Sequence, residues 1–393
     1  DVAIQRRILR LLFVTQIISG VGFAVGSSVG ALLAAEMAGV GMSGLAQSAS
    51  VVGAALFAIP ATAIVRNYGR RPSLALCYAI ATIGACVVVI AAMLSSLPLL
   101  FAGFFLFGGA AAANFQARYA AVDHAPASSR GRHLSIVVWA TTLGAVAGPN
   151  LAPVAGTSLA RFGVPPLAAP YVFSAMLLAL AGLLIAILLR TSTAIVQNSS
   201  GGMGAAFREV AKTPAARLGV VAMAVGHLIM VAVMSMTPVH IRAAGYDAPH
   251  TLRIVGVVIS VHIAGMYAFS PVMGWLTDRF GRRQVIAGGI VLLLAACALA
   301  GTAAHDHTRL GIALMVLGLG WSATIVAGST MLTESVPSEL RASSQGLSDL
   351  IMGLAGASAG ALSGVVVYAW GYSTLALLAA LTTAPLVILL SRE

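Results

Sequence analysis

Long apolar runs separated by short polar or charged breaks make up most of the chain. Runs of about 18 or more residues with few charges predict membrane-spanning helices. We expect twelve such spans, at residues 8–35, 42–65, 72–94, 97–121, 133–160, 167–189, 217–241, 251–276, 284–303, 308–332, 342–368 and 371–391. The longest polar stretch, residues 190–217, predicts a linker between two groups of six spans.

The composition agrees with a membrane protein of many spans. Of 393 residues, 59% are apolar and only 8% are charged, against roughly 25% charged residues in an ordinary soluble domain. This balance excludes a soluble globule. The three cysteines, Cys77, Cys86 and Cys297, each lie inside an apolar run, so we expect neither a disulfide framework nor a cysteine metal cluster.

The basic residues are unevenly divided between alternate connectors. All but four of the 22 fall on one side, and the exceptions are Arg161, Arg242, Arg253 and Arg309. Because basic connectors stay in the cytoplasm, both termini are predicted to be cytoplasmic. The net charge of +11 follows from this bias, so we do not expect a nucleic-acid partner.

The two halves repeat each other. Residues 68–71 read Tyr-Gly-Arg-Arg and residues 280–283 read Phe-Gly-Arg-Arg; the pattern acid-x-x-Pro-x-x-x-Arg at 123–130 recurs at 334–341. A nearly constant offset indicates a duplicated six-helix unit. We therefore predict a six-helix bundle at 1–190, a cytoplasmic linker at 191–216 and a second bundle at 217–393.

Residues 274–283, which run from Gly274 through Asp278 to Arg282 and Arg283, resemble the signature loop of the major facilitator superfamily of secondary transporters. The resemblance covers the whole chain and implies an all-α fold of 12 transmembrane helices in two halves, with Asp278 and Arg282 in coupling or gating. The N-terminal counterpart departs from the pattern, because Arg66 and Asn67 replace the usual Asp-Arg pair. The fourth span also lacks the arginine of the drug/proton antiporters, which weakens that interpretation.

Polar residues at membrane depth are candidates for a cavity lining. They are Asn114, Gln116, Arg118 and Asn150. They either bind polar groups of a substrate or bridge helices, and the sequence leaves both open.

Asp349 is the one acid well inside an apolar span. Such a residue usually serves as a proton site or as one member of an ion pair. We predict a coupling or gating role, with Arg66 as its partner where the cytoplasmic ends of the two halves meet.

Four residues step along one face of the seventh span, and two more share a face of the eighth. They are Met223, His227, Met230 and Met234, followed by His262 and Met266. Thioethers and imidazoles are soft neutral ligands, which suit Cu(I) better than hard cations. The alternative is ordinary packing, because methionine is a flexible core filler.

The pairs Met230-x-x-x-Met234 and His262-x-x-x-Met266 are similar to the MxxxM and HxxxM motifs of CcoA-like copper importers. That resemblance implies a bacterial inner-membrane transporter that imports copper by alternating access for cytochrome oxidase assembly. Met223 and His227 would be accessory. Copper is then cargo; we expect no prosthetic group, no enzymatic reaction and a monomer in the bilayer. The alternative is an organic-solute carrier, for riboflavin-like solutes or for drugs exchanged with protons.

Overall fold

The computed structural model describes residues 2–120, 130–189, 203–337 and 340–392. Within these ranges every regular element is a helix. The α-helices are α1 Val2–Ser27, α2 Gly30–Ala38, α3 Gly44–Tyr68, α4 Arg70–Leu94, α5 Leu97–Phe107, α6 Gly109–Ala120, α7 Arg130–Ser158, α8 Ala169–Leu188, α9 Met203–Lys212, α10 Pro214–Arg242, α11 Ala248–Tyr267, α12 Ser270–Phe280, α13 Arg282–Gly301, α14 His307–Ser335, α15 Arg341–Trp370, α16 Tyr372–Leu381 and α17 Ala384–Arg392.

Eleven helical segments of the described chain are long and apolar enough to cross a membrane. The fifth predicted span coincides with α7, which is not among the eleven and contains Pro149 and Pro153. Several spans are built from two helices in succession; α11 and α12, for example, form one apolar segment from Ala248 to Phe280. The predicted all-α membrane fold is confirmed.

Equivalent glycines follow the second membrane span of each repeat. Gly69 follows α3 with φ of 88°, and Gly281 follows α12 with φ of 96°. Residues with a side chain rarely adopt these angles, so only glycine turns the chain here without strain. The repeated Gly-Arg-Arg motif therefore corresponds to a repeated backbone turn.

The chain groups into two compact units. The first contains residues 1–196 and 241–260, and the second contains 197–240 and 261–393. Inside the first, α1 packs along α7 and α8, and α4 packs on α5 and α8; inside the second, α13 packs along α14 and α16. Helix α11 passes from the first unit to the second between Ser260 and Val261, directly before His262.

Candidate transport site

A glycine contact fixes the position of the eighth-span motif. A Cβ added at Gly318 of α14 would lie 2.8 Å from the backbone nitrogen of Met266, and one at Gly265 would lie 2.6 Å from the carbonyl oxygen of Met315. Helices α11 and α14 therefore touch backbone to backbone, as small residues allow in membrane proteins. The contact involves the helical turn from His262 to Met266. The backbone positions of both residues relative to α14 are therefore fixed.

His262 has a defined tautomer in this contact. Its side chain is fully buried, at 0% exposure, and Nδ1 lies 2.8 Å from the carbonyl oxygen of Leu314. A carbonyl accepts only, so Nδ1 carries the proton and donates it; in the neutral ring this leaves a lone pair on Nε2. Nε2 is buried and has no hydrogen-bond partner among the described residues. Histidines that bind metals usually donate their second nitrogen to such an acceptor.

The methionines of the two motifs reach the same layer of α14. Gly226 packs against Thr324, and Met230 lies one helical turn, about 6 Å, further along α10. Gly219 packs on Gly328 and Gly226 on Thr324, so α10 runs antiparallel to α14. Met230 therefore differs in level by about 3 Å from Gly318, which adjoins Met266. Met230 and Met266 are buried and Met234 is half-buried.

Met315 is a further methionine in this layer that the sequence motifs did not include. Its sulfur would lie 3.3 Å from a Cβ at Gly265, so it rests on the bare backbone between His262 and Met266. The other methionine of its span, Met331, lies 16 residues away, so no i, i+3 or i, i+4 spacing marks Met315. Only the approach of two glycines brings it to the motif.

Met223 and His227, the two accessory candidates, contact α14 and α15. Ser348 Oγ donates to the Met223 sulfur at 3.7 Å, and Trp321 Nε1 donates to His227 Nδ1 at 3.2 Å. The His227 ring fills the space left by Gly356. The lone pair of His227 Nδ1 is thus engaged by an indole, which fits a packing role in this state.

The signature loop of the second unit forms an ion-pair cluster. Arg282 donates from Nε to Glu334 Oε2 at 3.0 Å and from Nη2 to Glu334 Oε1 at 2.7 Å, and Asp278 Oδ1 lies 3.6 Å from the same Nη2. The predicted pair Asp278 and Arg282 is therefore brought together, with Glu334 as a third member. Asp349 lies exposed on α15. The Arg66 side chain falls outside the described residues, so its pairing with Asp349 stays a prediction.

Three of the four cavity candidates hydrogen-bond inside the first unit, and two of them, Asn114 and Gln116, lie on α6. Ser19 Oγ donates to Asn114 Oδ1 at 3.3 Å, and Arg70 Nη1 donates to Gln116 Oε1 at 2.7 Å. The Arg118 side chain lies outside the described part of the chain.

Asn150, the fourth cavity candidate, joins α7 to the first part of α11. Its Nδ2 donates to Ser260 Oγ at 2.6 Å, and Ser260 Oγ donates to the carbonyl oxygen of Val146 at 2.7 Å. Gly256 packs against Pro149 in the same contact. Asn150 therefore bridges helices in this state, and its partner Ser260 lies two residues before His262 along α11.

Within the described residues, no three His, Cys, Asp or Glu side chains converge on a point that could hold a metal ion. The seventh- and eighth-span motifs combine histidine with methionine, so they do not form such a group.

Comparison with known proteins identifies the family. The family model described as Major Facilitator Superfamily matches residues 11–253 and 249–392. The chain belongs to the Major Facilitator Superfamily. It is 38% identical over 386 residues to YddS, an uncharacterized MFS-type transporter of Bacillus subtilis (strain 168), with 95% of this chain and 88% of the relative covered. The predicted membership of this superfamily is confirmed.

Another relative carries a named activity. The riboflavin transporter RfnT of Brucella anthropi is 26% identical over 396 residues, with 95% of this chain and 92% of that protein covered. Among solved structures, a mutant of the nucleoside transporter NupG matches with a TM-score of 0.79 at 17% identity, covering 99% of both chains. A bacterial homologue of the lysosomal transporter Spinster, in an inward-facing unoccupied conformation, gives 0.77 at 16%, covering 98% of this chain and 96% of the other. Both show the shared superfamily fold.

Proposed function

We propose that this transporter imports copper across the bacterial inner membrane, with both termini in the cytoplasm. The observation that carries the proposal is His262, whose Nδ1 donates to Leu314 while Nε2 keeps a buried lone pair with no partner among the described residues. A neutral nitrogen in that state is a soft ligand, and burying it without a ligand has a free-energy cost. A bound Cu(I) would satisfy it.

Methionine sulfur would complete the coordination. Met266 follows one turn after His262 on α11, and Met230 and Met234 approach the same layer of α14 along α10. Cu(I) accepts three or four such donors, and neutral donors avoid gathering carboxylates in the membrane. Weak thioether ligands drawn from separate helices also suit a cargo that must be released.

Alternating access would act on the helix that bears His262. Residues 241–260 belong to the first unit, where Ser260 bonds to Asn150 and Gly256 packs on Pro149. Residues from Val261 onward belong to the second unit. The halves of such transporters usually rock against each other. That motion would therefore shift or bend α11 close to His262. The assigned purpose, supply of copper for cytochrome oxidase assembly without any chemical conversion, rests on the resemblance of the motifs.

Copper uptake in cells that express single variants tests the proposal. Met→Leu keeps volume and apolarity but removes the sulfur, so Met230→Leu, Met234→Leu and Met266→Leu should abolish accumulation measured by mass spectrometry. His262→Ala should do the same, and Met223→Leu should have a milder effect. Met331→Leu is the matched control, because Met331 is equally buried in a separate cluster of the second unit. Unchanged uptake in both Met230→Leu and Met266→Leu would refute the copper site.

An organic solute is the second candidate cargo, and two observations favour it. RfnT is named as a riboflavin transporter. In the second unit, Trp321 contacts both His227 and Tyr267, with a Tyr267 ring-centroid distance of 5.6 Å, and aromatic clusters bind planar solutes by stacking. Riboflavin uptake that survives Met230→Leu but is lost in Trp321→Leu would favour this cargo over copper.

A further inference from the structure

Helix α9, directly before the seventh span, has a wider apolar surface than the protein covers. Ala206 and Val210 are buried, whereas Met203 is 49% exposed and Phe207 is 59% exposed. At 100° per residue these four side chains fall within one continuous arc of the helix. Roughly half of that arc faces away from the bundle.

The buried half of the arc holds α9 in a fixed orientation. Ala206 and Val210 pack in one cluster with Val220 of α10, Leu332 of α14 and Leu347 of α15. Because three helices pack against one side of α9, the fold determines the direction in which Phe207 points.

Basic residues continue around the helix from the exposed apolar residues. Arg208 and Lys212 are both exposed; they lie on the same side of the helix and are one turn apart along it. The single acid of the helix, Glu209, lies toward the half-buried side, where Thr213 Oγ1 donates to Glu209 Oε1 at 3.3 Å. The uncovered surface of α9 is therefore apolar at one edge and cationic at the other.

We propose that α9 lies in the membrane interface and binds the anionic phospholipid surface on the side of the basic connectors. Met203 and Phe207 enter the boundary of the acyl chains, and Arg208 and Lys212 contact phosphate groups. Only Thr213 separates α9 from Pro214, the first residue of a membrane span, so α9 stands at the bilayer surface. An apolar edge beside a cationic edge is the pattern of interfacial helices, and basic residues at that depth attract anionic lipids. This site is independent of the cargo.

Spin-label depth measurements on the full chain in vesicles test the proposal. Phe207→Cys and Ala205→Cys are each introduced into a chain in which Cys77, Cys86 and Cys297 are replaced by alanine, and a nitroxide is attached. Ala205 is the matched control, because it lies on the same helix roughly 160° from Phe207, away from the exposed apolar edge. Each sample is measured in phosphatidylcholine alone and in a mixture with phosphatidylglycerol, by comparing relaxation by oxygen with relaxation by a water-soluble nickel chelate.

The label at position 207 should show lipid-like access to oxygen, and its depth should increase when phosphatidylglycerol is added. The label at position 205 should remain accessible to nickel. Adding Arg208→Gln and Lys212→Gln should remove the effect of phosphatidylglycerol. The proposal is overturned if the label at 207 is as accessible to nickel as the control, if phosphatidylglycerol has no effect, or if spin–spin broadening shows that a second copy covers the surface.

Discussion

The same glycine contact occurs once in each half, and the two copies hold different chemistry. In the first unit, a Cβ at Gly108 would lie 2.7 Å from the backbone nitrogen of Ala54; in the second, a Cβ at Gly318 would lie 2.8 Å from that of Met266. Ala54 and Met266 are 212 residues apart, which is the offset of the repeated loops. The backbone geometry has been kept through the duplication.

The side chains at this contact have not been kept. With an offset of 212 residues, the first-half equivalent of His262 is Ser50. The equivalents of Met230 and Met234 are Ile18 and Gly22. The first half therefore builds the same helix contact without imidazole or thioether. Because packing of this fold does not require the donors, their presence in one half favours a role in binding.

The largest expected effect comes from removing the contact itself. Gly318→Val and Gly108→Val each force a side chain into the facing backbone, which cannot move aside as a flexible side chain would. Each should cost about 3 kcal/mol or more of stability. The measurements are the yield of folded protein and its melting temperature in detergent. Gly353→Val is the control, because no described atom outside its own helix turn lies within 4 Å of a Cβ there.

If Gly108→Val proved harmless while Gly318→Val abolished folding, the two contacts would not be structural equivalents. The comparison between the halves would then lose its basis. Equal losses of stability in the two variants would support the structural equivalence of the two contacts.

The second effect separates binding from packing at His262. His262→Asn keeps an N–H donor for the Leu314 carbonyl but replaces the imidazole lone pair with a hard amide group. Stability should change by about 1 kcal/mol or less, whereas copper affinity should fall by roughly 100-fold, since even loss of an outer-shell partner costs 10–100-fold. Equilibrium copper binding to purified protein measures this directly. Wild-type affinity in His262→Asn would leave His262 with a packing role alone.

The sequence predicts the fold and part of the site, for reasons visible in particular residues. Apolar runs and the repeat of Gly-Arg-Arg predict the twelve-span duplication, because bilayer thickness and a positive φ constrain residue type strongly. The i, i+4 spacing predicts that His262 and Met266 share a face. It does not predict the tautomer of His262, because that depends on Leu314, 52 residues away.

Long-range contacts also decide the outcome for other candidates. The sequence allows Asn150 either to line a cavity or to bridge helices. Its role as a bridge depends on Ser260, which is 110 residues away in the chain. Met315 carries no local signal, because its place beside the motif results from Gly265. In each case a partner outside the local pattern determines the role.

The third effect concerns Asp349, whose equivalent in the first half is the buried apolar Val137. Asp349→Asn should shift the conformational balance and slow turnover about tenfold, the consequence of losing roughly 1.4 kcal/mol of pairing energy. Transport kinetics in vesicles measure the change. Exchange of the two charges, Arg66→Asp with Asp349→Arg, should recover part of the rate. Failure of this exchange, with both single variants inactive, would contradict the proposed pair.

The smallest effect distinguishes the two loop arginines. Arg282 binds the carboxylate of Glu334, whereas Arg70 binds the neutral amide of Gln116. Glu334 is 54% exposed on its side chain, so Glu334→Gln should lower the free energy of unfolding by about 1 kcal/mol or less. The effect should shrink at high salt, which screens exposed charges. Gln116→Leu removes one neutral hydrogen-bond acceptor of Arg70 without removing a charge, so its effect should be less dependent on salt. Melting temperatures in detergent at low and high salt test both variants, and a salt-independent loss in Glu334→Gln would show that hydrogen-bond geometry, and not charge, distinguishes the two halves.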